Sequence, residues 1–277
     1  MSIITISHEA FGHGRGVAER VAAILGYRCI GREVLIEASQ RYGIAEAKFS
    51  EILEEKPHHW WAGWLESFGV YRDVLQAAVC EFAEQGNLVY HGRAGEELLS
   101  GIRHVLNVFV DTPMGSRIQE AQTRKGLSQE GAREYLEELD QIRGRRLKEL
   151  FHIDWRDPAR YDFVIVMSKM TVESAARIIA EISQCEEYRP TEQSLQAIKD
   201  LTVNARVQAV LSTSPDIRIS NLDLRTKCGE VCVSGVLLGV DLERLIANTI
   251  KKIPGVTGVK TDFIVTPPEH NIYADGR

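Results

Sequence analysis

The sequence predicts an α/β protein in which a parallel sheet is flanked by helices and is followed by a small α+β domain. Through residue 182, short apolar runs alternate with stretches of helical periodicity, which is the pattern of strands joined by crossover helices. A polar segment at 184–193 lacks periodicity and contains a proline. Beyond it, apolar and polar side chains alternate along the strands, which indicates a sheet with one exposed face.

The elements are predicted in chain order from these patterns. The first domain is expected to contain strands at 3–6, 88–90, 105–110 and 161–166. Its helices are expected at 17–25, 31–38, 44–75, 71–84 and 172–182, with two charged helices in 114–150 joined at 126–128 and capped by Ser128. The second domain is expected to contain helices at 195–211 and 242–253 and strands at 217–225, 230–236 and 258–265. These elements divide the chain into a first domain (1–183), a linker (184–195), a second domain (196–266) and a tail (267–277).

Composition limits the function classes. The chain has 277 residues, 44% of them hydrophobic and 26% charged, which is typical of a soluble globular protein. Its formal net charge of -6 argues against nucleic-acid binding, which usually accompanies a basic excess. No run approaches the roughly 18 apolar residues of a membrane span. Because the first strand begins at Ile3, no signal peptide is predicted, and the expected location is the cytoplasm.

The five cysteines are scattered along the chain, and we expect reduced thiols. Cys228 and Cys232 lie four residues apart in a predicted strand and would share a face. No further Cys or His pair accompanies them, so zinc is not expected. We interpret both as buried small side chains.

A glycine-rich turn follows the first strand, with Gly12, Gly14 and Gly16 alternating around His13 and Arg15. A strand, a glycine turn and a helix aim backbone N–H groups at a phosphate, which makes residues 12–17, including Val17, candidates for cofactor binding. An ordinary connection between strand and helix explains the same pattern equally well. The P-loop consensus also requires a Lys followed by Ser or Thr, and here Arg15 is the only cation available.

A second cluster lies in the charged helices, where Asp140, Arg143 and Arg146 follow one helical stripe and Arg145 points elsewhere. Guanidinium groups presented together can neutralise a transferring phosphoryl group. The alternative, which is more common for such a run of charges, is a helix face exposed to solvent. The His58-His-Trp-Trp61 cluster with Trp64 can similarly line a ligand pocket or pack in the interior.

Residues 1 to about 182 resemble the cytidylate kinase-like family of P-loop proteins. The residues that carry the resemblance are 4–9 with the glycine turn, 25–27 with 32–35, 86–95, 124–128, 140–146 and 154–162. The resemblance implies a P-loop-type sheet that binds ATP and Mg²⁺ and transfers the γ-phosphoryl group to CMP or a related monophosphate. It places Arg143 and Arg145 in the lid and, with Arg15, in catalysis. It assigns substrate binding to Arg32, Arg93 and Asp140, and it gives no metal-ligating residue.

This sequence departs from the family pattern at three positions that matter for catalysis in the family. The turn reads Phe11-Gly-His-Gly-Arg-Gly16, Gly31 replaces a common acidic residue, and Val166 replaces a usual polar one. Loss of a carboxylate and a hydroxyl weakens positioning and charge neutralisation, on which phosphoryl transfer depends. The alternatives to a kinase are therefore a nucleotide sensor without turnover and an adaptor with an empty site.

Residues from about 196 to 265 resemble a BON domain, through Gly229-Glu-Val-Cys-Val-Ser-Gly235 and Ile253-Pro-Gly-Val-Thr-Gly-Val259. That resemblance implies binding of a lipid surface or a protein partner. For a cytoplasmic copy we expect a regulatory role or formation of a homo-oligomer.

Overall fold

The computed structural model describes residues 2–31, 33–43, 64–238 and 242–266. The chain separates into two compact units, Met1–Ile198 and Lys199–Arg277. The predicted linker at 184–195 contains a short 3₁₀ turn at Glu186–Tyr188 and the start of a helix at Glu192. The boundary between the compact units therefore follows the predicted linker by a few residues and falls inside this helix.

The first unit alternates strands and helices along the chain. Its strands are β1 (Ile3–His8), β2 (Arg28–Ile30), β3 (Leu88–Gly92), β4 (Val105–Asp111) and β5 (Phe163–Val166). Its helices among the described residues are α1 (Gly14–Leu25), α2 (Glu33–Tyr42), α3 (Trp64–Glu84), α4 (Gly95–Leu98), α5 (Met114–Lys125), α6 (Gln129–Phe151) and α7 (Val172–Ile182). The helix α8 (Glu192–Thr213) follows.

The five strands form one parallel sheet in the order β2-β3-β1-β4-β5. The central strand β1 pairs with β3 from Ile3 to Ser7 and with β4 from Ile3 to His8. Apolar side chains of β1, β4, α1 and α7 form the core between sheet and helices, with Val17 and Val21 fully buried. The chain adds β2 and β3 on one side of β1 and β4 and β5 on the other, so the order of the strands reverses at β1. Sheets of this kind bind ligands at the carboxyl ends of the strands beside such a reversal.

The strand β2 was not predicted from the sequence. It has only three residues and lies at the edge of the sheet, so it produces neither a long apolar run nor an alternation. In α1 the buried stripe contains Ala18 and Ala22, and Ile24 is exposed. The charged helices α5 and α6 are as predicted, and Ser128 caps α6 by accepting a hydrogen bond from the Gly131 N–H at 3.1 Å.

The second unit packs helices on one face of a three-stranded sheet. The strands β6 (Ile219–Lys227), β7 (Glu230–Leu238) and β8 (Gly258–Thr266) lie in that order, and α9 (Leu242–Ile250) precedes β8. The pair β6–β7 is antiparallel and the pair β7–β8 is parallel. Val231, Val233 and Leu237 of β7 are buried against α8 and α9. This arrangement agrees with the predicted α+β sandwich with half-exposed strands.

The prediction that Cys228 and Cys232 are buried in one strand is wrong. Cys228 lies in the turn between β6 and β7 with a φ of 51°, and Cys232 lies on the exposed face of β7. An alternation of period two shows which residues share a face, but it does not show which face is covered. Among the described residues there is no group of three or more potential metal-ligating side chains of the His, Cys, Asp and Glu types.

Candidate functional site

The turn between β1 and α1 presents a helix N-terminus at the carboxyl edge of the sheet. The helix α1 begins at Gly14, its N-cap His13 makes no side-chain capping bond, and its first turn contains no acidic residue. The first N–H groups of a helix lack partners within the helix, and together with the helix dipole they favour an anion. The predicted layout of strand, glycine turn and helix is therefore present.

The glycines of this turn are packed against side chains of the same chain. A Cβ at Gly12 would lie 2.6 Å from Thr112 Oγ1, and a Cβ at Gly14 would lie 2.3 Å from Cβ and Cγ of His8. The Thr112 hydroxyl also accepts a hydrogen bond from the His13 N–H at 3.1 Å. Both glycines are therefore required by internal packing, whether or not a phosphate approaches the turn.

Two arginines from distant parts of the sequence meet in a pocket beside this turn. Arg93 follows β3, and Arg143 reaches the same pocket from α6. The remaining lining comes from Ser7, His8, Gly92, Ala94, Leu147, Trp155 and Tyr161. The cavity of about 10 Å³ has room for about one water molecule. The structure thus brings together two of the arginines that the sequence predicted for phosphate binding.

Two stacked histidines form the wall next to the turn. The rings of His8 and His91 are 5.9 Å apart at an interplanar angle of 29°, and the ring of His91 occupies the space beside Gly31, where a Cβ would approach within 2.5 Å. Burial, with smaller contributions from the positive charges of Arg93 and Arg143, lowers the pKa of His8 to about 4. Burial also lowers the pKa of His91. Both rings are therefore neutral at pH 7, which leaves the arginines as the cations of the pocket.

The orientation of His8 follows from its hydrogen bond. Its Nδ1 lies 2.8 Å from the Glu9 carbonyl oxygen, which can only accept. In the neutral ring the proton is therefore on Nδ1, and Nε2 is an acceptor. Nε2 is buried and has no hydrogen-bond partner among the described residues. It can accept a hydrogen bond from an amino or hydroxyl group of a ligand.

A pair of carboxyl groups lies beneath the turn. Glu9 is buried, and its Oε2 accepts a hydrogen bond from the Thr112 N–H at 3.1 Å. Burial, together with the hydrogen bond to the Asp111 carboxyl at the end of β4, raises the pKa of Glu9 to about 7. Glu9 therefore still holds a proton near neutral pH. The only indication of this pair in the sequence is the position of Asp111 directly after a strand.

A buried ion pair between α5 and α6 also contacts the glycine turn. Arg117 of α5 donates two hydrogen bonds to the Asp140 carboxylate, both at 2.8 Å, and its Nε donates to the Ala10 carbonyl at 2.9 Å. Arg156 donates to the same carboxylate at 2.7 Å. Arg117 is 2% exposed and Asp140 is 8% exposed. Asp140, which was predicted to bind substrate, therefore uses its carboxylate to hold α6, one helical turn before Arg143.

The floor of the pocket is a network around Glu96. The hydroxyl of Ser7 donates to Glu96 at 3.0 Å, and burial raises the pKa of this carboxyl group. The hydroxyl of Tyr161 donates to the Trp155 carbonyl at 2.7 Å. Arg160 contacts both Glu96 and Glu97. These contacts fix the aromatic side of the pocket to the strand ends.

The remaining predicted site residues lie elsewhere. The Arg15 side chain is 72% exposed and forms an ion pair with Glu19 at 2.8 Å on the outer face of α1. Gly16 is in the first turn of α1. Val17 is buried in the core, and its N–H donates to the His13 carbonyl at 3.0 Å. Arg145 is exposed on α6 and does not line the pocket of Arg143.

Two of the predicted regions cannot be placed. Arg32 lies outside the described residues, as do the side chains of the predicted cluster of His58, His59, Trp60, Trp61 and Trp64. Several residues of the site were not predicted, among them His8, Glu9, His91 and Arg117. Arg117 does have a signal in the sequence, because it lies on the same helical stripe as Ile118 and Ala121 in an otherwise polar helix.

The fold and site define a class of protein. A five-stranded parallel sheet flanked by helices, with a glycine turn entering a helix after the central strand, is the arrangement of the P-loop kinases. Residues 3–169 match the cytidylate kinase-like family, and the chain belongs to that family.

Individual relatives are more distant. The chain is 31% identical over 102 residues to a cytidylate kinase of Methanocaldococcus jannaschii, which covers 36% of this chain and 57% of that protein. It is 23% identical over 186 residues to a cytidylate kinase of Methanopyrus kandleri, covering 64% and 90%. An uncharacterized protein from Eubacterium ventriosum has a similar fold, with a TM-score of 0.51 at 18% identity over 66% of this chain and 97% of that one.

In the part of the chain that the structure describes, no helix combines the length and the apolar character needed to cross a membrane.

Proposed function

We propose that the first unit transfers the γ-phosphoryl group of ATP to a nucleoside monophosphate, CMP or a related acceptor. The observation that carries the proposal is the meeting of Arg93 and Arg143 in one pocket at the carboxyl ends of β1 and β3. Two guanidinium groups at this position can hold an acceptor phosphate and neutralise the transferring group. Membership of the cytidylate kinase-like family supports the same reaction class.

Each part of the site has a role in this proposal. The N-terminus of α1 holds the ATP phosphates through backbone N–H groups. Arg93 binds the phosphate of the acceptor, and Arg143 stabilises the charge that develops during transfer. Neutral His8 offers Nε2 to a hydrogen-bond donor of the acceptor. No general base is required, because an acceptor phosphate is already a nucleophile.

The oxygen donors beneath the turn fit the Mg²⁺ ion that the family implies. Glu9, Asp111 and the hydroxyl of Thr112 lie together at the ends of β1 and β4, and Mg²⁺ prefers oxygen ligands. When bound, the ion would neutralise negative charge on the phosphates. Because Glu9 holds a proton up to about pH 7, cation binding at this pair should strengthen as the pH rises through 7.

A nucleotide sensor without turnover is the second candidate. Arg15 is paired with Glu19 on the outer face of α1, and the turn contains no lysine. The spaces beside Gly12 and Gly14 are filled by Thr112 and His8. In this alternative the second unit, through its resemblance to a BON domain, reports the bound state to a partner.

The test combines thermal denaturation with a coupled assay of ADP release, using ATP·Mg²⁺ alone and with CMP, dCMP, UMP or AMP. A ligand at a hundred times its Kd stabilises by about 2.7 kcal/mol, so binding is visible in the melt. A kinase releases ADP only with its acceptor. Stabilisation without ADP release supports the sensor, and the absence of both contradicts both proposals.

Variants of the two pocket arginines separate binding from transfer. Arg143→Ala should lower kcat at least about a hundredfold, because a charge-stabilising group is lost from the transition state. Arg93→Ala should mainly raise KM for the monophosphate. Arg133→Ala is the matched control, since Arg133 lies exposed on the same helix and contacts only Glu137 in the described part of the chain, at 3.9 Å. An Arg143→Ala enzyme as active as this control would remove Arg143 from the mechanism.

A further inference from the structure

The sheet of the second unit ends in a long edge strand. In the order β6-β7-β8, the strand β8 pairs with β7 along Gly258–Thr266, and no described strand pairs with its outer side. An unpaired edge exposes backbone N–H and C=O groups that can pair with another strand. The charges along β8 indicate which strand could pair with this edge.

The open face of this sheet carries two rows of opposite charge. The register places Arg225, Cys232 and Lys260 side by side across the three strands. One step along, it places Asp223, Ser234 and Asp262 side by side. One row is therefore cationic at both ends and the other is acidic at both ends. The opposite face is covered, because Val259 and Phe263 pack on the core and Thr261 donates a hydrogen bond to Glu243.

We propose that two copies of this chain pair through β8 as antiparallel strands, with the two-fold axis at Thr261. In that register each Lys260 lies opposite the partner's Asp262, and each Asp262 opposite the partner's Lys260. Opposite charges directly across an antiparallel pair are stabilising. The cationic row of one copy then continues into the acidic row of the other, and the two sheets form one sheet of six strands.

The apolar residues of β8 fit the same register. Ile264 is 68% exposed, and the pairing places it opposite the partner's Gly258, where no side chain competes for the space. Val259 faces the partner's Phe263 on the covered side. A two-fold axis requires such a self-complementary surface. The existing ion pair between Lys260 and Glu230, at 3.0 Å, is a weak competitor because both side chains are exposed.

Charge exchange tests the register in the full-length chain. Sedimentation equilibrium measures the dimer dissociation constant of the wild type, Lys260→Asp, Asp262→Lys and the double variant that carries both. Each single change places two like charges opposite each other across the two-fold axis, so we expect the dissociation constant to rise at least about tenfold. The double variant restores opposite charges and should recover the wild-type value. Lys251→Asp, at an exposed position in the turn after α9, is the matched control and should dimerise normally.

Two results would overturn the proposal. One is a wild type that stays monomeric at the highest concentration measured. The other is a dimer that neither single variant weakens, which would place the interface elsewhere. Circular dichroism of each variant separates loss of pairing from loss of folding, and recovery in the double variant cannot arise from misfolding.

Discussion

Removing the charge of Asp140 should destabilise the first unit more than any single change at the surface. Its carboxylate accepts two hydrogen bonds from Arg117, both at 2.8 Å, and one from Arg156 at 2.7 Å. Asp140→Asn keeps the shape but leaves the guanidinium of Arg117, which is 2% exposed, without a counter-charge. Breaking a buried ion pair by removing one partner costs about 3–5 kcal/mol. For a unit of this size that loss corresponds to a fall in Tm of about 6–20 °C.

The two halves of the pair should not be equivalent. In Arg117→Met the remaining carboxylate keeps Arg156, whose side chain is 52% exposed and can draw water to the site. Arg117→Met should therefore cost less than Asp140→Asn, although the bond to the Ala10 carbonyl is also lost. In the double variant no charge is left buried without a partner, so its cost should be well below the sum of the single costs.

Denaturant unfolding and calorimetry measure these differences, with Arg133→Met as the exposed control on the same helix. The control should change the free energy of unfolding by less than about 0.5 kcal/mol. If Asp140→Asn costs under about 1 kcal/mol, or if the single costs add in the double variant, the pair does not hold α6 against the turn.

Three further predictions concern the turn and the thiols. Burial lowers the pKa of His8 from 6.5 to about 4 and raises that of Glu9 from 4.5 to about 7, so the contribution of His8 to stability is lost as the pH falls through this range and that of Glu9 is lost as the pH rises through it. Glu9→Gln removes the contribution of Glu9 and leaves that of His8, so between pH 4.5 and 6.5 its Tm should fall more steeply with acidification than the Tm of the wild type. Equal slopes in both proteins would contradict the assignment. Gly14→Ala should destabilise the first unit because its Cβ meets His8 at 2.3 Å, and His8→Gly in the same chain should restore much of the melting temperature. A thiol reagent should rapidly modify the three exposed cysteines of the native protein, Cys185, Cys228 and Cys232, and all five cysteines after denaturation. Cys80 is protected because it is buried, and Cys29 reacts slowly because burial raises its pKa to about 11.

Much of the architecture follows from periodicity. The long helices and the apolar strands have enough residues for a clear pattern, and the caps at Gly26 and Ser128 mark their ends. The strand β2 has too few residues to be recognised, and its place in the sheet is set by pairing with β3. Local sequence contains no information on that pairing, which joins residues about sixty positions apart.

The site was predicted less completely than the fold, because its contacts are long-range. The resemblance predicts Arg93 and Arg143, and the fold brings them to one pocket, Arg93 from the end of β3 and Arg143 from α6. The charge run around Asp140 looked like a ligand-binding or solvated face, yet its carboxylate is buried by Arg117, which is 23 residues away. Periodicity identifies the buried stripe of a helix, but a charged residue on that stripe becomes interpretable only when its counter-charge is known.

The histidines and glycines of the site fit each other closely, so the packing of the pocket depends on particular residue types. His8 fills the space beside Gly14, and His91 fills the space beside Gly31. Each ring therefore fits only because a particular glycine lies next to it, and the two rings stack on each other. A site that had lost all constraint would not need such matched pairs, nor a buried ion pair that holds α6 to the turn. The neutral rings add volume without charge, so they narrow the pocket while leaving Arg93 and Arg143 as its cations. If the first unit transfers phosphate as proposed, the two rings limit the shape of acceptor that fits beside Arg93 and Arg143, so variants of His8 and His91 should change the choice among CMP, dCMP, UMP and AMP.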